Sequence, residues 1–237
     1  MDETMGFSLV EYLKNDPEKF FNEGKSYQLL QEYFRGFSKD TLRELFYYEN
    51  RWIRRVAVWI TSELGIDGSD LLKEVLTQIN DSDIYICSYA LEIIANCARG
   101  EHIDDFMRVF LFLDHDNQKI RISVMNIISN LSGTRILEAC AYLAKKKNFS
   151  DSHEKGLSFL LDVNELTYTE IIRMIESADA ITRKYGIIVA KKLYDKYPGI
   201  VNEAVNNQDL DVREFSKQVV AVKIEFDRFM RTKAPSI

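Results

Sequence analysis

Three histidines, three cysteines and the adjacent carboxylates Asp104 and Asp105 carry the most reactive side chains in this chain, and zinc ligation, thiol attack and acid–base catalysis are what such groups offer. Their placement argues against all three. No two of His102, His115 and His153 stand three or four positions apart, the separation that sets two ligands on one helical face. His115 lies in Leu113-Asp-His-Asp-Asn117, which reads as a turn between helices. Asp104 and Asp105 are neighbours on a helix, so they point in different directions and belong to a solvated face. Cys87, Cys97 and Cys140 are odd in number and fall inside helical patterns, where thiols pack as small apolar groups. The chain contains no glycine-rich phosphate loop, no Gly-x-Ser-x-Gly and no Cys or Ser with a base close by in sequence. The expectation is a protein that is not an enzyme and has no catalytic residue, metal or cofactor.

The 237 residues are 46% hydrophobic, with ten Gly and three Pro, enough for one elongated helical domain with a continuous core. The formal charge is −6, which disfavours direct nucleic-acid binding and makes a basic partner the easier inference. Lys145-Lys-Lys147 ends a helix, where cations are favourable without any nucleic acid. No run approaches the roughly eighteen apolar residues of a membrane span, and Met1 to Phe20 has no secretory pattern. A cytoplasmic location is expected.

One pattern recurs six times. Its key position is held by Ile53, Ile86, Ile120, Ser152, Thr182 and Val212, at intervals of 33, 34, 32, 30 and 30. Four residues on stand Ala57, Ala90, Val124, Gly156, Gly186 and Ser216, small enough for two helices to approach closely. Apolar residues return eight and eleven positions after the key in most copies, which makes one helical stripe. Three positions before the key come Asn50, Asp83, Asn117, Phe149, Asp179 and Asp209, and five of these six can cap a helix. Capping boxes are also expected at Ser8/Glu11, Thr41/Glu44, Thr167/Glu170 and Asp211/Glu214. Directly after the key, Arg54, Arg121, Arg183 and Arg213 are placed to reach the Asp or Asn of a neighbouring turn. A partner helix precedes each copy: 40–48, 70–79, 103–113, 135–146, 169–176 and 198–205. Further helices are expected over 8–13, 17–22 and 27–35. A period of this size marks stacked helical pairs that bury their apolar faces against one another.

The pairing of a first helix, an Asp or Asn turn, and a second helix with apolar-Arg followed by a small residue resembles the HEAT and armadillo class of helical repeats over about 36–224. The resemblance implies an all-α fold, an α-solenoid of about six HEAT-like hairpins: an N-terminal helical cap over 1–36, repeats over 37–232 and a tail over 233–237. The fourth copy departs most, with Ser152 and Phe149 at its key and capping places.

In such a stack the second helices line a concave wall. Side chains six and ten positions after the key, with the tyrosines three after it, give the expected partner interface: Trp59, Glu63, Tyr89, Glu92, Asn96, Asn126, Asn130, Asp162 and Tyr185. Carboxylates would steer a basic protein and aromatics would anchor it. Small, acidic, helical and without added domains, the chain looks like a bacterial immunity protein of a contact-dependent growth inhibition system. That likeness implies one protein partner, a basic toxin domain, nuclease toxins having basic clefts, blocked by occlusion, with no membrane contact. A helical-repeat DNA glycosylase or lyase, or a structural or regulatory adaptor, are the alternative expectations.

Overall fold

The structure, a computed structural model, describes residues 4–146 and 149–233, with the side chains of 231–233 left aside. The described residues form α-helices and short 3-10 turns, with no strand among them. The fold is all-α, as expected. The helices divide into two compact units, 1–109 and 110–237.

The first unit contains α1 (Thr4–Asn15), α2 (Pro17–Asn22), α3 (Lys25–Phe34), α4 (Lys39–Leu45), α5 (Arg51–Leu64), α6 (Leu72–Leu76) and α7 (Ile84–Cys97). α8 (Ile103–Leu111) spans the division. The second unit contains α9 (Gln118–Asn130), α10 (Gly133–Leu143), α11 (Asp151–Leu161), α12 (Tyr168–Ile175), α13 (Ala180–Lys192), α14 (Pro198–Ala204) and α15 (Leu210–Lys233). The helices expected before each key are therefore present, shifted by a few residues, and the second, expected over 70–79, is shortened to α6 and preceded by a 3-10 stretch over Gly65–Leu71. The tail expected over 233–237 lies, beyond Lys233, outside the described residues, as does Lys147 of the basic run.

The capping expectation holds for the second helices. Asn50, Asp83 and Asn117 each accept from the amide two residues on, and Asp179 from Thr182, so these side chains satisfy amides that a helix start leaves open. Thr167 and Glu170 form a reciprocal capping box. Other boxes are corrected: α1 already begins at Thr4, so Ser8 bonds back to the Thr4 carbonyl, and Ser38 rather than Thr41 caps α4. Asp211 lies inside α15, whose first amides are received by Asp209. In the fourth copy Ser150, not Phe149, holds the cap position.

Ile53, Ile86, Ile120 and Val212 are buried, as are all six residues four positions later, while Ser152 and Thr182 are half-buried. Full burial of a branched aliphatic side chain contributes about 1.5–3 kcal/mol, so these key residues add to the core of each unit. The small residues serve close packing. An added Cβ on Gly186 would sit 2.8 Å from Met174 Cβ and 2.9 Å from the Ile175 amide nitrogen, and one on Gly156 would enter the Tyr185 ring.

Two of the four arginines, Arg54 and Arg183, act as expected, while Arg213 bonds within its own copy, to the Asn207 carbonyl and Glu214. Arg54, Arg121 and Arg183 each donate from one terminal nitrogen to the two carbonyls six and five residues upstream. Each aims Nε at a later carboxylate: Asp81 at 2.8 Å, Asp211 at 2.7 Å and Asp209 at 2.6 Å respectively. Arg54 and Arg183 reach the next turn. Arg121 passes over the fourth copy, which has no Asp at its cap, and the fifth, and pairs with a residue of the sixth, 90 positions away. Accordingly α9 packs on α13 and α15, and α13 also touches α11, α12 and α14. Within the second unit α13 is a central helix, buried on every side from Lys184 to Ala190, which departs from strict neighbour-to-neighbour stacking.

Candidate partner-binding site

Helices α5 and α7 of the first unit bring five of the expected interface residues to the surface: Trp59 and Tyr89 half-buried, Glu63, Glu92 and Asn96 exposed. Spacings of three and four residues along each helix put them on one face. The turn from α2 to α3 completes the site. Gly24 takes φ +69°, a conformation that costs glycine little, and this reversal carries Phe21 and Tyr27 to the same place.

The result is a pocket of about 480 Å³ lined by Phe21, Gly24, Ser26, Tyr27, Arg55, Trp59, Tyr85 and Tyr89. Its walls are mostly rings, and three of those rings are open to water: Tyr27 is 63%, Tyr85 55% and Phe21 40% exposed. Arg55 is held by Asp83 at 2.7 Å, and its guanidinium carbon lies 4.6 Å from the Trp52 ring centroid and 4.7 Å from that of Tyr85. Its charge is thus neutralised by a carboxylate and placed between two aromatic faces. Trp52 also meets Phe21 at 5.0 Å between centroids, which fixes α2 against α5.

The electrostatics of this surface are negative. Loss of solvent raises the Tyr89 hydroxyl above its usual range, and Glu92 and Glu63 raise it further. Glu92 is itself pushed up, first by desolvation and then by the Glu63 carboxylate. A cation arriving beside these carboxylates would relieve their mutual repulsion.

The remaining expected residues lie in the second unit. Asn130 and Asp162 are exposed there, at the end of α9 and just past α11. Asn126 is committed internally, accepting from Lys191 at 3.2 Å and donating to Gln218 at 3.2 Å, so it ties α9 to α13 and α15. Tyr185 is a correction. It is fully buried, with its hydroxyl 3.1 Å from His153 Nδ1 and its ring at 5.9 Å from the histidine ring, because α13 is enclosed and has no solvent face at that position. It offers nothing to a partner.

Phe21, Ser26, Tyr27, Arg55 and Tyr85 escaped the sequence reading. Tyr85 and Tyr89, like Arg55 and Trp59, stand four apart, and that local signal pointed to a shared face. Phe21 and Tyr27 come from other helices, and no spacing announces their convergence. Among the described residues no group of three or more His, Cys, Asp or Glu is arranged to hold a metal ion, and no helix is long and apolar enough to cross a membrane. No protein-family model matches the chain, and no curated protein matches it in sequence.

Proposed function

We propose that this is a protein-binding helical-repeat module that captures one basic protein partner on the α5–α7 face of its first unit, with a toxin domain blocked by occlusion, in the manner of an immunity protein, as the partner. The supporting observation is the coincidence of an open aromatic pocket with the Glu63/Glu92 carboxylate pair on one surface. Rigid rings give contact area at small entropic cost, and carboxylates at the rim accelerate encounter with a positively charged surface. No bond is made or broken in this reading.

The test is affinity capture from the native host, followed by co-expression of the recovered protein with wild-type or variant chain. A single basic protein is expected, toxic alone and harmless with the wild type. The double variant Glu63→Lys/Glu92→Lys is expected to bind at least ~10-fold more weakly and to lose protection, with most of the loss in association rate and a weaker salt dependence. Undiminished capture by the double variant, or recovery of an acidic partner, overturns the proposal.

A further inference from the structure

We infer that the pocket between α2–α3 and α5–α7 is a receptor for a single protruding basic side chain, lysine or arginine, of the partner protein. This inference rests on the protein-binding reading above and specifies how the partner is gripped.

The pocket wall already holds one cation against a ring. Arg55 lies 4.7 Å from the ring of Tyr85, which lines the pocket, and 4.6 Å from that of Trp52 behind it, with the Asp83 carboxylate at 2.7 Å. That arrangement occupies Trp52 and one face of Tyr85. Trp59, Tyr89, Tyr27 and Phe21 line the rest of the space and do not hold a cation themselves among the described contacts. Carboxylates are also near: Glu63 lies one turn beyond Trp59 on α5 and Glu92 one turn beyond Tyr89 on α7, both exposed, so they stand beside the lining residues.

Ser26 adds an independent sign. It is 8% exposed, lines the pocket, and its hydroxyl has no hydrogen-bond partner among the described residues. A buried hydroxyl without a partner costs about 1–3 kcal/mol, and an ammonium or guanidinium N–H entering the pocket would donate to its oxygen. A purely hydrocarbon occupant would leave it unmatched. An anion would meet Arg55, but Asp83 already neutralises that charge, and the Glu63/Glu92 pair repels it. A volume of about 480 Å³ admits one long side chain, not a helix or strand.

The experiment uses the full chain and four blocked tripeptides of the form Gly-X-Gly, with X as Lys, Arg, Nε-acetyl-lysine or, as a control, Glu, observed by proton NMR. Protons on the terminal methylenes of Lys and Arg should move upfield and saturate, because a group seated among ring faces feels their ring currents. The acetylated peptide, similar in shape but neutral, should bind at least ~3-fold more weakly, the discrimination that a cation–π contact of 0.5–1 kcal/mol or more provides. Tyr89→Leu should reduce the upfield shift. Glu63→Gln/Glu92→Gln, which preserves side-chain shape, should weaken the charged peptides and leave the acetylated one unchanged. Equal binding of the neutral peptide, tighter binding of a Gly-Glu-Gly control, or no saturable shift with any peptide overturns the inference. If the tripeptides fail while partner capture still depends on Glu63 and Glu92, only this inference falls. If Lys and Arg bind as described while the partner survives charge reversal, the protein-binding proposal falls and the cation pocket stands.

Discussion

Tyr185 leaves no room beside it for a side chain at position 156, and that single contact locks α11 to α13. Gly156→Ala is expected to destabilise the second unit by about 2–3 kcal/mol through overpacking, as read from the urea midpoint, whereas Gly133→Ala, with open space around it, should change little. The same contact creates a pH response. His153 is buried between Phe149 and Tyr185, and desolvation holds its pKa below the ordinary histidine value of 6.5, with Lys184 lowering it and Asp114 and Asp179 opposing. A depressed folded value means the unfolded chain takes up the proton first. The stabilisation is therefore complete above about 6.5 and is lost as pH falls from there through the folded value. Thermal melts of the wild type should drop between pH 7 and 5 by more than those of His153→Gln, and parallel curves would remove the histidine from the account. Read from sequence, Tyr185 stood for a surface aromatic because it lies three positions after its key, as Tyr89 does. That register fails in α13, which is enclosed even at its charged position: Lys184 is buried against Asp211 at 3.5 Å.

Among the elements, the arginines show which contacts the sequence could announce. Repetition at fixed spacing revealed the helices, their caps and the Arg-to-turn contacts, because all three are local consequences of a 3.6-residue period and of open amides at helix starts. It could not reveal the pairing of Arg121 with Asp211, since the missing Asp in the fourth copy told only that the nearest partner was gone. Nor could it bring Phe21 and Tyr27 to Trp59, a convergence set by how α2 and α3 lie on α5. Asp211 sits between Arg121 at 2.7 Å and Lys184 at 3.5 Å, all with side chains less than one-fifth exposed. Removing the carboxylate leaves two cations facing each other, so Asp211→Ala should cost about 3–5 kcal/mol, more than Arg121→Ala, which leaves Lys184 to balance the acid. Arg213, more exposed and paired with its exposed neighbour Glu214, should cost about 1 kcal/mol or less when replaced by Ala. Denaturant titration of the three variants orders them.

At the scale of the whole chain, the second unit is organised around α13 rather than along a line, and α15 closes it from Val212 to Ser216. Beyond that closure α15 runs on with residues 221–230 exposed, Lys223 alone half-buried and bonded to Asp195 at 3.3 Å. Ending the chain after Ile224 should leave the urea midpoint nearly unchanged, while ending it before Leu210 should abolish cooperative unfolding of residues 110–209, with circular dichroism distinguishing the two. The ion pair from α9 to α15 also sets a timetable. A linear array can settle one hairpin at a time as it leaves the ribosome, but Arg121 must wait for 90 more residues before its carboxylate arrives. At translation speeds of 5–20 residues per second that is roughly 5–18 s in which α9 is exposed without its final neighbours, the interval when a chaperone would find it.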